Sequence, residues 1–330
     1  MRLGVPKEKD NDETRVSIVP ISIPKLNKLG FEVIIEKGAG EKSGYSDSEY
    51  EDKGGKIGNL VGVMGSELIA SIDVPDFKRM KKGQMLACIA DPFRNLKQTR
   101  KIIDAGITLL SLDVIPRRLS KGQSMDVNSS QDNLSGYRAA LMGSLHVSKM
   151  VPMMMTAAGT VRPAKFVIQG AAVAGLQAIA TAKRLGAAIQ AIDVRLAAKQ
   201  DTESLGAKFI DVPGWKDAES SSGHATLFTD KGLQQAFDEE LMKAVKEADV
   251  VITTARLFGA DAPPLFFGKE MNEKMTHEMK QGAVVIDMNC DTGGNIVGSV
   301  EGEIVEKDGV TIIGIPMLCR TIPNTASMLY

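Results

Sequence analysis

Short apolar runs alternate with polar, helix-periodic stretches along most of the chain. In the first third, "MRLGVP" at the start, "FEVIIE" (31–36), "MLACIA" (85–90) and "GITLLSLDV" (106–114) have the length and composition of strands, and the segments between them suit helices. "IPKLNKLG" is one such helix, closed by Gly30. This alternation predicts a parallel sheet flanked by helices over roughly the first 130 residues.

The pattern then changes. "QDNLSGYRAALMGSLHVSKM" places Leu134, Tyr137, Leu141, Leu145 and Val147 close to helical spacing, which predicts a long helix linking two domains and ending near Pro152. From Lys165 the strand–helix alternation begins again, with "KFVIQ", "AIQAIDV", "AKFIDV", "DVVITTA" (249–255), "AVVIDM" (283–288) and "VTIIGI" (310–315) as strands of a second α/β unit. Between them "DVPGWKDAESSSGHATLFTDKG" (211–232) is long, polar and rich in glycine and serine; a mobile lid and a plain surface loop both fit it.

A length of 330 residues fits two domains sharing a cleft, and 43% hydrophobic with 25% charged residues is ordinary for a soluble globular chain. The formal net charge of -1 gives no bulk attraction to nucleic acid or anionic lipid. Cys88, Cys290 and Cys319 lie far apart with no CxxC pair, which argues against structural zinc and reads as buried thiols in a reducing compartment. The N-terminus is charged almost at once, with no apolar core of signal-peptide length. "MVPMMMTAAGTV", from Met150, falls short of the roughly 20 residues that span a bilayer. No direct membrane insertion is expected, although docking on a membrane protein stays open.

One stretch carries candidate chemistry. "KFVIQGAAVAGLQAIATAKRLGAAIQAIDVR" (165–195) reads as strand, turn, helix and strand, with Gly170, Ala172 and Gly175 where a dinucleotide-binding turn has Gly-x-Gly-x-x-Gly. The first glycine makes the tight turn, the second lets backbone approach the pyrophosphate, and the third lets helix and strand pack closely. The helix starting near Val173 and Ala174 would offer its N–H groups and positive dipole end to phosphate, whatever residue stands at 172. Asp193 ends the following strand at about the distance where an acid accepts bonds from both ribose hydroxyls and repels a 2′-phosphate, which favours NAD over NADP.

Several segments then fall into one order: "RVSIVP", "VIIEKGAGEKSGYSDSEYEDKGGKI", "SMDVNSSQDNLSGYRA", "GAAVAGLQAIATAKRLGA", "DVVITTA", "VVIDMNCDTGGN", "GVTIIG" and "TASMLY". Together they resemble the family holding alanine dehydrogenases and the NAD(H)-binding first domain of proton-translocating (Si-type) NAD(P) transhydrogenase, over essentially the whole chain. The resemblance implies two Rossmann-like lobes, each a mostly parallel sheet with flanking helices, joined by a long helix with a cleft between them. It implies a discontinuous N-terminal lobe of residues 1–135 and 310–330, and a Rossmann NAD-binding lobe of 136–309.

The two branches differ in chemistry. Oxidising an amino acid passes through an imine that exchanges protons and water, and alanine dehydrogenases use a lysine and a histidine of the N-terminal lobe for this. Hydride transfer between two nicotinamides moves no proton and needs neither. The histidines here are His146, His224 and His277, and the segment aligned with the lysine reads "SIDVP" (71–75). Arg15 and Asp291 match alanine dehydrogenase positions, but they make no acid–base pair. "RLSKGQSMDVNSS" is similar instead to the transhydrogenase signature R-x-S-x-x-Q-S-x-D-x-x-S-S. The resemblance therefore implies that Arg118, Gln123, Asp126 and Ser129 hold the dihydronicotinamide and its carboxamide, with Arg118 and Asp126 as an ion pair near the ring. Nucleotide contacts are expected from Gly170, Ala172, Val173, Ala174, Gly175, Asp193, Arg195 and His224.

Two departures stand out: Ala172, and the absence of the family's lid tyrosine, since the tyrosines are Tyr45, Tyr50, Tyr137 and Tyr330. They motivate a second reading, a catalytically weakened nucleotide-binding module; alanine dehydrogenase is a third. The leading reading implies NAD(H) as cofactor, a homodimer, an NADP-binding partner domain and a membrane-spanning proton-channel subunit, no nucleic acid, and a cytoplasmic or peripheral inner-membrane location through the partner. The chain ends where the family's first domain ends, as a separate subunit or an excised domain would.

Overall fold

The computed structural model describes the chain apart from residues 116–119, 216–217, 219–225 and 258, and the side chains at 120 and 121. It divides into two units, Met1–Gln131 with Cys319–Tyr330, and Asp132–Leu318.

In unit 1, the strands β1 (Arg2–Val5), β2 (Glu32–Glu36), β3 (Lys56–Gly58), β4 (Leu68–Ala70), β5 (Met85–Cys88) and β6 (Thr108–Ser111) form a sheet in the order β3-β2-β1-β4-β5-β6. Every described pairing is parallel. Leu3, Val5, Val33 and Ile35 are buried with Val16, Val19, Ile23 and Tyr50, and a second cluster gathers Ile69, Leu86, Cys88 and Ile102. β3 and β4 are three residues long and lack the extended apolar runs that mark a strand in sequence. The C-terminal segment returns to this unit: Ser327 Oγ accepts from the Val16 N–H at 3.0 Å, and the Tyr330 hydroxyl donates to the Ser71 carbonyl at 2.9 Å.

In unit 2 the long helix Val127–His146 is followed by a hairpin of β7 (Met154–Thr156) and β8 (Gly159–Val161). A second sheet contains β9 (Lys165–Gln169), β10 (Ala188–Ile192), β11 (Lys208–Phe209), β12 (Val250–Thr253), β13 (Val284–Asp287), β14 (Glu303–Lys307) and β15 (Val310–Gly314), in the order β11-β10-β9-β12-β13-β15-β14. All described pairings in it are parallel except β14 with β15. The central strands β12 and β13 are buried throughout, as continuous apolar runs covered on both faces should be. Alternate residues go to opposite faces. Val167, Val251, Val285 and Ile312 join Phe237, Leu241, Phe266 and Met275 of the helices Lys231–Glu247 and Lys269–Glu278 and the loop between them. Phe166, Ile168, Val250, Ile252, Val284 and Ile286 meet Ala139, Ala140, Ala178, Ile179 and Ala182 on the other face.

Those alanines come from the long helix Val127–His146 and the helix Val173–Arg184. The two approach so closely that a Cβ on Gly136 would lie 2.0 Å from the Ala174 carbonyl oxygen. The long helix thereby fixes the first turn of the helix that follows the glycine-rich segment. Residues 310–318 sit with the second unit, as the strand pattern of "VTIIGI" expects, and not with the N-terminal lobe, where the resemblance puts 310–330. β15 pairs with β13 inside the unit 2 sheet, so the chain returns to unit 1 only at Cys319. The reason is register: Ile312 and Ile313 continue the two-faced burial of Val285 and Ile286. Among the described residues no helix is long and apolar enough to cross a membrane.

Candidate functional site

The strand order of unit 2 reverses between β9 and β12, the place where ligands bind at the carboxyl ends of strands in open α/β sheets. Gly170 follows β9 directly, with φ +87°, and a Cβ there would lie 2.5 Å from Thr254 Oγ1, just beyond β12. A Cβ on Gly175 would stand 1.8 Å from the Gly170 carbonyl oxygen. Neither position admits a side chain. Ala172 is different: φ is -88° and ψ -163°, extended backbone open to any residue, and the methyl is exposed. It precedes the helix Val173–Arg184 without capping it through its side chain. The N–H groups of Val173, Ala174 and Gly175 occupy the first helical turn, where no intrahelical acceptor exists, and an anion is the natural partner. These groups fit a dinucleotide pyrophosphate, with the Ala172 methyl on the exposed side of the turn.

Asp193, one residue past β10, is buried, and its carboxylate is fully engaged. Oδ2 accepts from the Ala171 N–H at 2.7 Å, and Oδ1 from the Arg195 N–H at 2.9 Å. The Arg195 guanidinium adds Nε to Oδ1 and Nη2 to Oδ2, both at 2.9 Å. The acid expected at the ribose is thus tied to the turn on one side and to Arg195 on the other.

Behind these groups lies a network that sequence reasoning missed. Asp287, wholly buried at the end of β13, accepts from the N–H groups of Asn289 (3.0 Å), Asn295 (3.1 Å) and Ile296 (3.3 Å). Asn289 and Asn295 both donate to the Ala255 carbonyl, at 3.2 and 2.9 Å. The loop 288–296 is therefore stapled to the residues after β12, and Thr254 Oγ1 in turn donates to the Gly170 carbonyl at 3.0 Å. The one signal in the sequence is an acid ending an apolar strand, a feature that Asp193 shares.

The nicotinamide candidates belong to unit 1. Asp126 precedes the long helix and accepts from the Ser129 N–H (2.9 Å) and Ser129 Oγ (2.6 Å), so these two are brought together as a helix cap. Gln123 is exposed at the end of the short helix Ser120–Gln123. Arg118, and with it the expected ion pair to Asp126, lies outside the described residues, as does His224 in the 211–232 segment. The described ends of that segment are anchored: Trp215 packs on Phe209 and Phe228, and the Ala218 N–H donates to the Val194 carbonyl at 3.2 Å.

A second charged group sits beyond β1 and β4 of unit 1. Arg15 and Glu13 form a fully buried bidentate pair, with Nε to Oε1 at 2.8 Å and Nη2 to Oε2 at 2.7 Å. Arg15 Nη1 donates to Gln131 Oε1 at 3.0 Å. Glu8 accepts from the Ile72 and Asp73 N–H groups at 2.7 and 3.3 Å. No lysine stands in 71–75, and the Ser71 hydroxyl donates to the Asp73 carbonyl. Asp291 lies in the short turn Cys290–Thr292 of unit 2. Cys88 and Cys319 are buried and Cys290 half-buried.

Comparison with known proteins agrees across the chain. Residues 4–135 match the N-terminal domain of alanine dehydrogenase/PNT, and residues 139–330 the C-terminal domain. The chain is 38% identical over 342 residues to the first portion of the NAD(P) transhydrogenase alpha subunit of Rhodospirillum rubrum, covering 100% of this chain and 87% of that protein. It is 28% identical to an alanine dehydrogenase of Mycobacterium tuberculosis over 307 residues, 91% of this chain and 75% of the other. The crystal structure of a transhydrogenase from Sinorhizobium meliloti superposes with TM-score 0.86 at 38% identity, covering 100% of this chain and 91% of that one. An L-alanine dehydrogenase structure shares the fold, with TM-score 0.80 at 23% identity, covering 100% of this chain and 86% of that one. These likenesses place the chain among NAD(H)-binding oxidoreductases with a Rossmann-like fold.

The unit 1 charges also set a pH response. Burial pushes the Glu8 carboxyl up to about 8, with the charges of Asp73 and Glu13 adding to it and the two backbone bonds opposing. Burial works to raise Glu13 as well, but the Arg15 and Arg320 guanidiniums more than offset it, so Glu13 stays below its ordinary value. A carboxyl raised on folding contributes stability that is full below its unfolded value and is lost as pH rises through the folded one. Glu8→Gln should therefore stabilise the chain relative to wild type at pH 9, by up to a few kcal/mol, and change little at pH 5. Urea unfolding at the two pH values checks this; a difference independent of pH would refute it.

Proposed function

The chain belongs to the alanine dehydrogenase/PNT family, and from that premise we propose that it is the NAD(H)-binding component of a proton-translocating NAD(P) transhydrogenase, passing hydride directly between NADH and NADP held by a partner domain. The observation that carries this reading over amino-acid oxidation is the state of the unit 1 charges. Arg15, at the position matching the amino-acid enzymes, is consumed by Glu13 and Gln131, and the lysine segment holds no lysine. Without the lysine and the N-terminal-lobe histidine that the amino-acid enzymes use, the chain is better suited to a reaction that moves hydride and no proton.

When bound, the dinucleotide supplies the hydride from its dihydronicotinamide ring. The protein's role is to hold and orient. The first-turn N–H groups of Val173 and Ala174 meet the pyrophosphate, and Asp193 the adenosine ribose. Arg118, Gln123, Asp126 and Ser129 fix the ring and its carboxamide, which is an effect of position and not of acid–base chemistry. Ala172 favours a weakened module as the second reading, because its exposed methyl occupies the approach of the phosphates.

The assembly follows the same reading: a homodimer, docked through an NADP-binding partner on a membrane-spanning proton channel and so peripheral to an inner membrane. The β7–β8 hairpin supports the dimer. It is exposed at every position, Met155 by 73%, and a two-stranded hairpin is marginal in water by itself. Light scattering at micromolar concentration should give a dimer, and Met155→Glu should shift it toward monomer; a monomeric wild type would remove the proposal.

Two assays separate the enzymatic readings. With the NADP-binding partner added, the chain should catalyse reduction of an NAD analogue by NADPH, and by itself it should not reduce NAD with alanine. Alanine-dependent reduction of NAD, or no analogue reduction while NADH still binds, would favour the other readings.

A further inference from the structure

We propose that Arg195 is a latch on the ribose end of the nucleotide site, holding the acceptor positions that the adenosine ribose needs and giving them up when the nucleotide binds. The inference rests on the reading of unit 2 as an NAD(H) site and concerns how that site opens.

An ionised carboxylate offers about four acceptor positions. Asp193 has four donors on it: the Ala171 and Arg195 N–H groups, and Arg195 Nε and Nη2. The two backbone donors belong to the turn after β9 and to the chain just past β10, and cannot leave without disturbing the residues that shape the site. The two guanidinium donors sit at the end of a long side chain, 19% exposed against 4% for the Asp193 side chain. A ribose presents two adjacent hydroxyls, so two side-chain donors can be exchanged for two.

The exchange has a cost. Nε and Nη2 form a bidentate, charge-assisted pair with Asp193, stronger than the neutral hydroxyl bonds that replace it. Some of the nucleotide's binding free energy is therefore spent on release, and the observed affinity falls below what the bare carboxylate would give. Neither a purely structural ion pair nor an arginine that itself grips the nucleotide has this consequence, since removing either would leave affinity unchanged or weaken it.

Calorimetric titration of NADH into the whole chain tests the latch. Arg195→Ala should tighten NADH binding several-fold, and Arg195→Lys, which keeps the charge but loses the fork, should tighten it less. Asp193→Ala should weaken binding, and in that background Arg195→Ala should no longer tighten it, because the tightening comes from the freed carboxylate. Thermal unfolding of each variant verifies folding. Unchanged or weaker binding in both Arg195 variants, with Asp193→Ala still weakening it, would overturn the latch and leave the site assignment standing. Absence of NADH binding by wild type would overturn the site assignment itself, and the latch with it.

Discussion

Everything about the nucleotide site depends on one close approach. The Gly170 carbonyl and the Gly175 backbone leave no room for a Cβ between strand and helix, and that contact aims the helix N-terminus at the carboxyl end of the sheet. Gly136 of the long helix bears on Ala174 just as tightly, so the first turn is clamped from two sides. The clamp explains why one letter of the motif can change. The outer glycines are demanded by the protein's own packing, whereas at 172 the backbone is extended and the methyl exposed. Only a ligand could require glycine there, and alanine is the mildest departure from it.

The long apolar strands were legible because burial on both faces of a parallel sheet leaves uninterrupted runs such as "DVVIT" and "AVVID". The short strands β3 and β4 were not, since three residues held by their neighbours show no periodicity. β14 left a signal that went unread. Asp308 and Gly309, with φ of +53° and +74°, make the two-residue turn that joins it to β15, and Asp-Gly is a strong hairpin cue. The β7–β8 hairpin, rich in methionine, looked in sequence like a weakly polar stretch with no assigned form.

Of the site, residue identity was legible and engagement was not. Asp193 could be named from its distance to the glycine turn, but not its saturation by Ala171 and Arg195, which is a matter of three-dimensional donors. Asp126 and Ser129 could be named from a motif, and the structure adds that they cap a helix together. Asp287 could not be singled out, because its partners at 289, 295 and 296 are backbone groups that any sequence has. In unit 1, Arg15 could be named from its match to the amino-acid enzymes, but not its buried pairing with Glu13.

The central claim is that unit 2 is a working NAD(H) site with alanine at the second position of its turn. The most direct measurement is isothermal titration of NADH into the wild-type chain and into Ala172→Gly. The account predicts one NADH per chain in both, with the glycine variant tighter by on the order of tenfold, the worth of roughly 1 to 2 kcal/mol of relieved crowding at the pyrophosphate. No NADH binding by either form would contradict it.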